Sequence, residues 1–228
     1  MPIVFADLAQ TCAPTLAIET IAAVTSIESA FSPLAIRINT GYPLTDQPQT
    51  KAEAIELATM LVEQGQNLDL GLGGLNSSEL RRLGLTVSDA FEPCLNIKAT
   101  ATLLNNYYQL AINAGASASN AEVAMLRSYY GQGDASIGQM VGYERRIAEE
   151  KKRLAPKLRS LILREGKGQP LPTRELTVAN TETSDTAIKR PAPTASAGSL
   201  WIATMPAAQQ WDVFNPGRKS SVLVFSNQ

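Results

Sequence analysis

Apolar residues recur at helical spacing between residues 15 and 31, at Ile21, Val24, Ile27 and Phe31, and Ser32-Pro33 closes the run. A shorter set, Val4, Phe5 and Leu8, marks a helix over residues 3–10. Residues 11–14 break it, and Pro14 suits the first turn of the longer helix. Residues 34–38 alternate weakly, as in a short strand, before turn composition at 40–43 and an irregular loop at 46–49. Thr50 and Glu53 form a capping box ahead of a helix over 51–64. Ile55, Ala58 and Val62 share its stripe, flanked by Leu61, and Gly65 stands where the C-terminal cap belongs. Residues 67–72 alternate polar and apolar, which predicts a second strand. Asn76 is placed to cap a short helix carrying Leu80 and Leu83, ended by Gly84.

One more turn spans residues 86–91. Asn96 then reads as the cap of a long helix over 97–113, with Ile97, Ala101, Leu104, Tyr108 and Ala111 on one face. Asn120 reads as the cap of a helix over 121–130. After an interruption at 131–134, a last helix runs from Ser136 through Tyr143 to Leu154.

Beyond Pro156 the pattern changes. Residues 157–164 prolong a helix, but residues 166–199 are rich in Pro, Thr, Ser, Ala and Gly, with too little apolar surface to offset the entropy of ordering. Trp201, then Trp211-Asp212-Val213-Phe214 and Val222-Leu223-Val224-Phe225, bring aromatic and β-branched residues back. The expectation is an α+β fold, mostly α. It comprises a domain over 1–155 with a small β-hairpin insertion, a largely disordered linker over 156–200 and an interaction tail over 201–228. The tail suits either a partner's sheet edge or a strand paired back onto its own domain.

Composition narrows the chemistry. A chain of 228 residues with 44 % hydrophobic content supports an ordinary core plus a tail. The net charge of -1 argues against a nucleic-acid partner. The basic residues over 145–159 alternate with Glu149 and Glu150 behind Glu144, as on a solvated helix face. No run approaches the roughly 18 apolar residues of a membrane helix, so stable membrane insertion is not expected. Residues 1–6 lack the basic flank and apolar length of a signal peptide, so the sequence shows no export route. The absence of histidine removes Ser-His-Asp and Cys-His catalysis and any His-ligated metal. No metal or other cofactor is expected. Cys12 and Cys94 form either one disulfide, closing a loop of about 80 residues, or two buried thiols.

One residue contradicts its surroundings. Glu28 stands four residues after Val24 and three before Phe31, on the apolar face of its own helix. An unpartnered carboxyl there tends to hold its proton and can serve as a general acid. The alternative is a Glu on the last turn that leans into solvent. Gly71, Gly73 and Gly74 fit neither a dinucleotide fingerprint nor a phosphate loop, and suit a close approach of backbone to backbone or ligand.

Glu28-Ser29-Ala30-Phe31-Ser32-Pro33-Leu34-Ala35 resembles the E-S-x-F/W-N-P-x-A motif of goose-type-lysozyme-like lytic transglycosylases. Gly71-Leu72-Gly73-Gly74-Leu75-Asn76 occupies the place of their G-L-M-Q-I/V-N motif. Ser128-Tyr129-Tyr130-Gly131-Gln132-Gly133 resembles A/S-x-Y-N-x-G, and Tyr143 with Arg146-Ile147 fits the closing Y-x-x-R/K-V pattern. The order is the same throughout, over roughly residues 3–150. The spacing between the first two motifs and the contexts of Cys12 and Cys94 are most similar to the transglycosylase subunit of type IV secretion systems. Residues 211–214 are also similar to tails of that subfamily. Three positions depart: Ser32 replaces an Asn, Gly73-Gly74 replace Met-Gln, and Gly131 replaces an Asn.

The resemblance implies a lysozyme-like domain acting in the periplasm on the glycan strands of peptidoglycan, between MurNAc and GlcNAc. Glu28 would be the single catalytic acid and base, yielding a 1,6-anhydro sugar. Ser29, Ser32, Gly73, Gly74, Asn76, Tyr130 and Tyr143 would contact substrate or frame the acid, and the tail would meet other secretion subunits. Two rivals stand beside this: a glycan-binding assembly protein with an eroded site, which the glycines suggest, and a hydrolase in which water attacks.

Overall fold

The structure, a computed structural model, describes residues 3–40 and 42–164. Among these residues it is helical around one three-stranded antiparallel sheet. Of the linker expected over 156–200, residues 156–164 are described and begin with a 3-10 turn; the rest of it and the tail over 201–228 lie outside the described residues.

Helix α1 (Phe5–Cys12) buries Phe5, Ala9 and Cys12. Pro14 falls in the turn that follows, because α2 (Ile18–Ser29) begins later than its apolar spacing suggested. Helix α2 is the centre of the domain: Thr20 to Thr25 are buried without interruption. A helix enclosed on this scale carries its polar residues inward as well. It ends earlier than expected, since Ala30 (φ 50°) and Phe31 (φ 62°) both adopt the left-handed region. Two such non-glycine residues in succession reverse the chain sharply, at a cost that surrounding contacts must offset. Phe31 packs edge-on against Phe5, with ring centroids 5.1 Å apart.

The reversal leads into β1 (Ile36–Ile38), which pairs with β2 (Leu68–Leu70), which pairs with β3 (Leu75–Asn76). Between β1 and β2 lies α3 (Lys51–Glu63), whose Thr50–Glu53 capping box forms as its sequence predicts. Its buried stripe is Ala54, Ala58 and Leu61, one position round from the expected one. Gly65 (φ 76°) ends it, with its N–H on the Val62 carbonyl and the Gln66 N–H on that of Leu61. All three residues of β2 are buried, Asp69 included, because the middle strand is covered on both faces.

Helices α4 (Ser77–Arg82) and α5 (Val87–Ala90) lead to α6 (Pro93–Asn113). Asn96 does not cap this helix. Pro93 supplies the first turn, so Asn96 lies inside it and fully buried. Ser117, not Asn120, caps α7 (Ala118–Tyr130), accepting from the Asn120 N–H. The last expected helix is two, α8 (Ala135–Met140) and α9 (Tyr143–Leu154), separated where Gly142 turns left-handed (φ 59°).

The Cys12–Cys94 disulfide joins the end of α1 to the start of α6. Past α9, a 3-10 turn (Ala155–Ser160) brings the chain back along α1. Phe5 N–H donates to the Leu161 carbonyl (2.8 Å), Leu163 N–H to that of Ile3 (3.0 Å) and Arg164 N–H to that of Phe31 (2.9 Å). With Leu163 buried, the packed region extends beyond the expected boundary at residue 155. No helix among the described residues is long and apolar enough to cross a membrane.

Candidate active site

A cleft opens between the sheet and helices α6 and α7, with Glu28, Asp69, Gly74, Asn76, Glu79 and Tyr130 among its lining residues. The enclosure of α2 leaves the Glu28 side chain about 5 % exposed. The carboxyl is not unpartnered, as its place on an apolar face suggested. Arg37 Nη1 lies 2.8 Å from Oε2, and the Tyr143 hydroxyl donates to Oε1 at 2.7 Å. The guanidinium reaches Glu28 because β1 folds back immediately after the left-handed turn at Ala30 and Phe31.

The loop over residues 71–74 passes through the interior, so its polar backbone groups need partners. Three helices provide them. Ser29 Oγ on α2 lies within donating distance of the Leu72 carbonyl (2.8 Å) and of Thr25's (3.0 Å). Asn96 on α6 accepts from the Gly73 N–H at 2.7 Å and donates to the carbonyls of Leu70 (3.0 Å) and Ala90 (2.8 Å). Tyr129 on α7 donates to the Gly73 carbonyl at 2.7 Å. Burial, then the nearby charge of Glu28, pushes the Tyr129 phenol well above its ordinary value, so it remains a donor at neutral pH.

Asn96→Ala would strand one buried N–H and two carbonyls. We expect it to destabilise the fold by about 3 kcal/mol and to lower any activity of the cleft as the loop loosens, both measurable by urea denaturation and turnover assays. Unchanged stability would mean that water replaces the amide.

The same geometry accounts for the glycine pair. A Cβ on Gly73 would overlap the Thr100 hydroxyl. Gly74 is left-handed (φ 66°), and a Cβ there would stand 3.0 Å from Glu28 Cβ and 3.1 Å from Oε2. A Cβ on Gly131 would overlap the Asp134 carbonyl. In this backbone Gly73 and Gly131 leave no space for a Cβ, and Gly74 combines a left-handed φ with close contact to Glu28. Gly74→Ala therefore couples left-handed strain with pressure on Glu28. We expect any turnover at the cleft to fall about tenfold or more, the equivalent of about 1.4 kcal/mol, and an unchanged rate would show that the cleft tolerates a side chain there.

Of the remaining expected residues, Asn76 lines the cleft and caps α4, its Oδ1 accepting from the Ser78 N–H (3.0 Å) while Nδ2 donates to Asp69 (3.0 Å). Tyr130 lines the cleft and packs against Tyr143, centroids 5.0 Å apart. Ser32 is half-buried, outside the cleft lining, with its N–H on the Ser29 carbonyl. Arg37, Asp69, Glu79 and Tyr107 of the site were not singled out in the sequence, and Tyr129 and Gln132 stood there only as motif neighbours of Tyr130. Strand register contained the signal for two of them. Arg37 pairs with Asp69 and Asp69 with Asn76, so a polar row crosses the sheet on one face.

Residues 8–152 match the family described as the transglycosylase SLT domain. The type IV secretion system protein virB1 of Brucella suis biovar 1 (strain 1330) is 42 % identical over 108 residues, covering 47 % of this chain and 45 % of that relative. Protein virB1 of Agrobacterium fabrum is 35 % identical over 157 residues, covering 68 % of this chain and 62 % of its own length. Protein virB1 of Rhizobium radiobacter is 33 % identical over 157 residues, covering 68 % and 63 %. The chain thus spans a little under half the length of the Brucella relatives and somewhat under two thirds of the others. No solved structure matches.

Proposed function

Since the chain belongs to the transglycosylase SLT domain family, we propose that it is a lytic transglycosylase that cuts peptidoglycan glycan strands between MurNAc and GlcNAc. The observation that carries this reading is Glu28, a buried carboxyl beside an open cleft, held at both oxygens by Arg37 and Tyr143. Such a group is oriented for proton transfer and shielded from bulk water. In its acid form Glu28 gives its proton to the glycosidic oxygen as the bond to C1 breaks. The MurNAc N-acetyl group stabilises the cationic centre. The ionised Glu28 then takes the proton of the C6 hydroxyl, whose oxygen closes on C1 to form the 1,6-anhydro ring. Ordinary glycosidases divide these roles between two carboxylates. Here the substrate supplies its own nucleophile.

The virB1 relatives support a place in a type IV secretion system, where local opening of the wall in the periplasm would admit the assembling machine. The residues over 201–228 would contact other subunits. The rival reading is a glycan-binding assembly protein without turnover. Incubating the full chain with purified peptidoglycan separates the two: soluble glycan fragments support the enzyme, whereas binding without release overturns it.

A further inference from the structure

We propose that Arg37 is a positioning residue that aims the Glu28 carboxyl and stabilises it once it has given up its proton; this rests on the transglycosylase reading. Arg37 grips Glu28 twice. Nη1 meets carboxylate Oε2 at 2.8 Å, and Nη2 donates to the Glu28 backbone carbonyl at 2.5 Å. That carbonyl lies in the last turn of α2, where carbonyls lack a partner from the following turn. The left-handed residues at 30 and 31 end the helix, and the Ser32 N–H turns instead to the Ser29 carbonyl. One planar fork therefore caps the helix and clamps the side chain of the same residue. A guanidinium can do this because its donors diverge in a fixed plane.

The setting strengthens the effect. The Arg37 side chain is about 11 % exposed, and its partner's about 5 %, so solvent screens their attraction weakly. The two bonds remove rotational freedom from the carboxyl, and Tyr143 fixes the other oxygen. Electrostatically, Arg37 sets a positive charge beside the oxygen on which negative charge develops. That charge appears as the proton moves to the leaving oxygen and disappears again when the C6 hydroxyl proton is taken. Arg37 thus favours the first transfer and holds the base in place for the second. An interaction that grows as charge develops raises kcat more than it lowers KM.

The test is steady-state turnover of solubilised glycan strands by the full chain, comparing wild type with Arg37→Met, Arg37→Gln and Arg37→Lys, each with a melting curve. We expect kcat to fall about 100-fold in Arg37→Met, the scale of losing one preorganised donor, with KM changed less than about threefold. Lysine, which retains the charge but not the fork, should recover about tenfold of that loss, and glutamine less than lysine. A folded Arg37→Met with wild-type kcat, a loss confined to KM, or glutamine matching lysine overturns the proposal. If methionine prevents folding, the lysine–glutamine order decides it. Absence of turnover in the wild type overturns the transglycosylase reading itself, and this inference with it. Turnover in the wild type with an indifferent Arg37 overturns this inference alone.

Discussion

Glu28→Gln is expected to yield a folded protein whose release of glycan fragments falls by about 10⁴-fold, the upper end of what one acid–base group contributes. The upper end applies because the proposed cycle uses this carboxyl twice, once to give a proton and once to take one. Glutamine has nearly the same volume, and its amide oxygen can still accept from Arg37 or from Tyr143. It cannot supply a proton to the glycosidic oxygen. Binding of intact glycan to the cleft should persist, so pull-down with insoluble peptidoglycan is measured beside turnover. A variant that binds and cleaves like the wild type would show that the carboxyl beside this cleft is only structural.

Reducing the Cys12–Cys94 disulfide, or replacing both cysteines by alanine, is expected to have the largest effect on stability. The bridge spans a sequence separation of 82 residues and ties α1 to α6 at a Cα–Cα distance of 5.4 Å. The chain-entropy treatment assigns a loop of that length about 4.5 kcal/mol. For a domain of this size, that is a fall in Tm of about 10–15 °C. Melting with and without dithiothreitol measures it. Coincident curves would mean that the oxidised state adds nothing beyond two packed thiols. A large shift fits a protein that works in an oxidising compartment.

Much of this architecture was legible in the residues. The capping box at Thr50 and Glu53 and the glycines ending α3 and α4 are local signals, and the structure honours each one. What escaped were features decided by distant partners. Asn96 looks like a helix cap because Asn often is one. Only the buried loop across from it explains why its amide is spent on Gly73, Leu70 and Ala90. The apolar pattern runs one helix straight through Gly142, whose left-handed backbone instead divides α8 from α9. The partners of Glu28 were missed for the same reason. Arg37 lies nine residues on; Ser32-Pro33 marks the end of the helix, but nothing local shows that Ala30 and Phe31 turn left-handed and bring the chain back onto Glu28. The glycine pair, which beside the resembling motif suggested altered substrate handling, packs against Thr100 and Glu28, distant partners that no local pattern shows.

Internal attack by the C6 hydroxyl, directed by Glu28, leaves its mark on the product. Mass spectrometry of the muropeptides released from purified peptidoglycan by the full chain should show 1,6-anhydroMurNAc ends as the main product, absent from the Glu28→Gln digest. Reducing MurNAc ends lost in the same variant would contradict internal attack, leaving Glu28 as the acid of a hydrolase with water as the nucleophile.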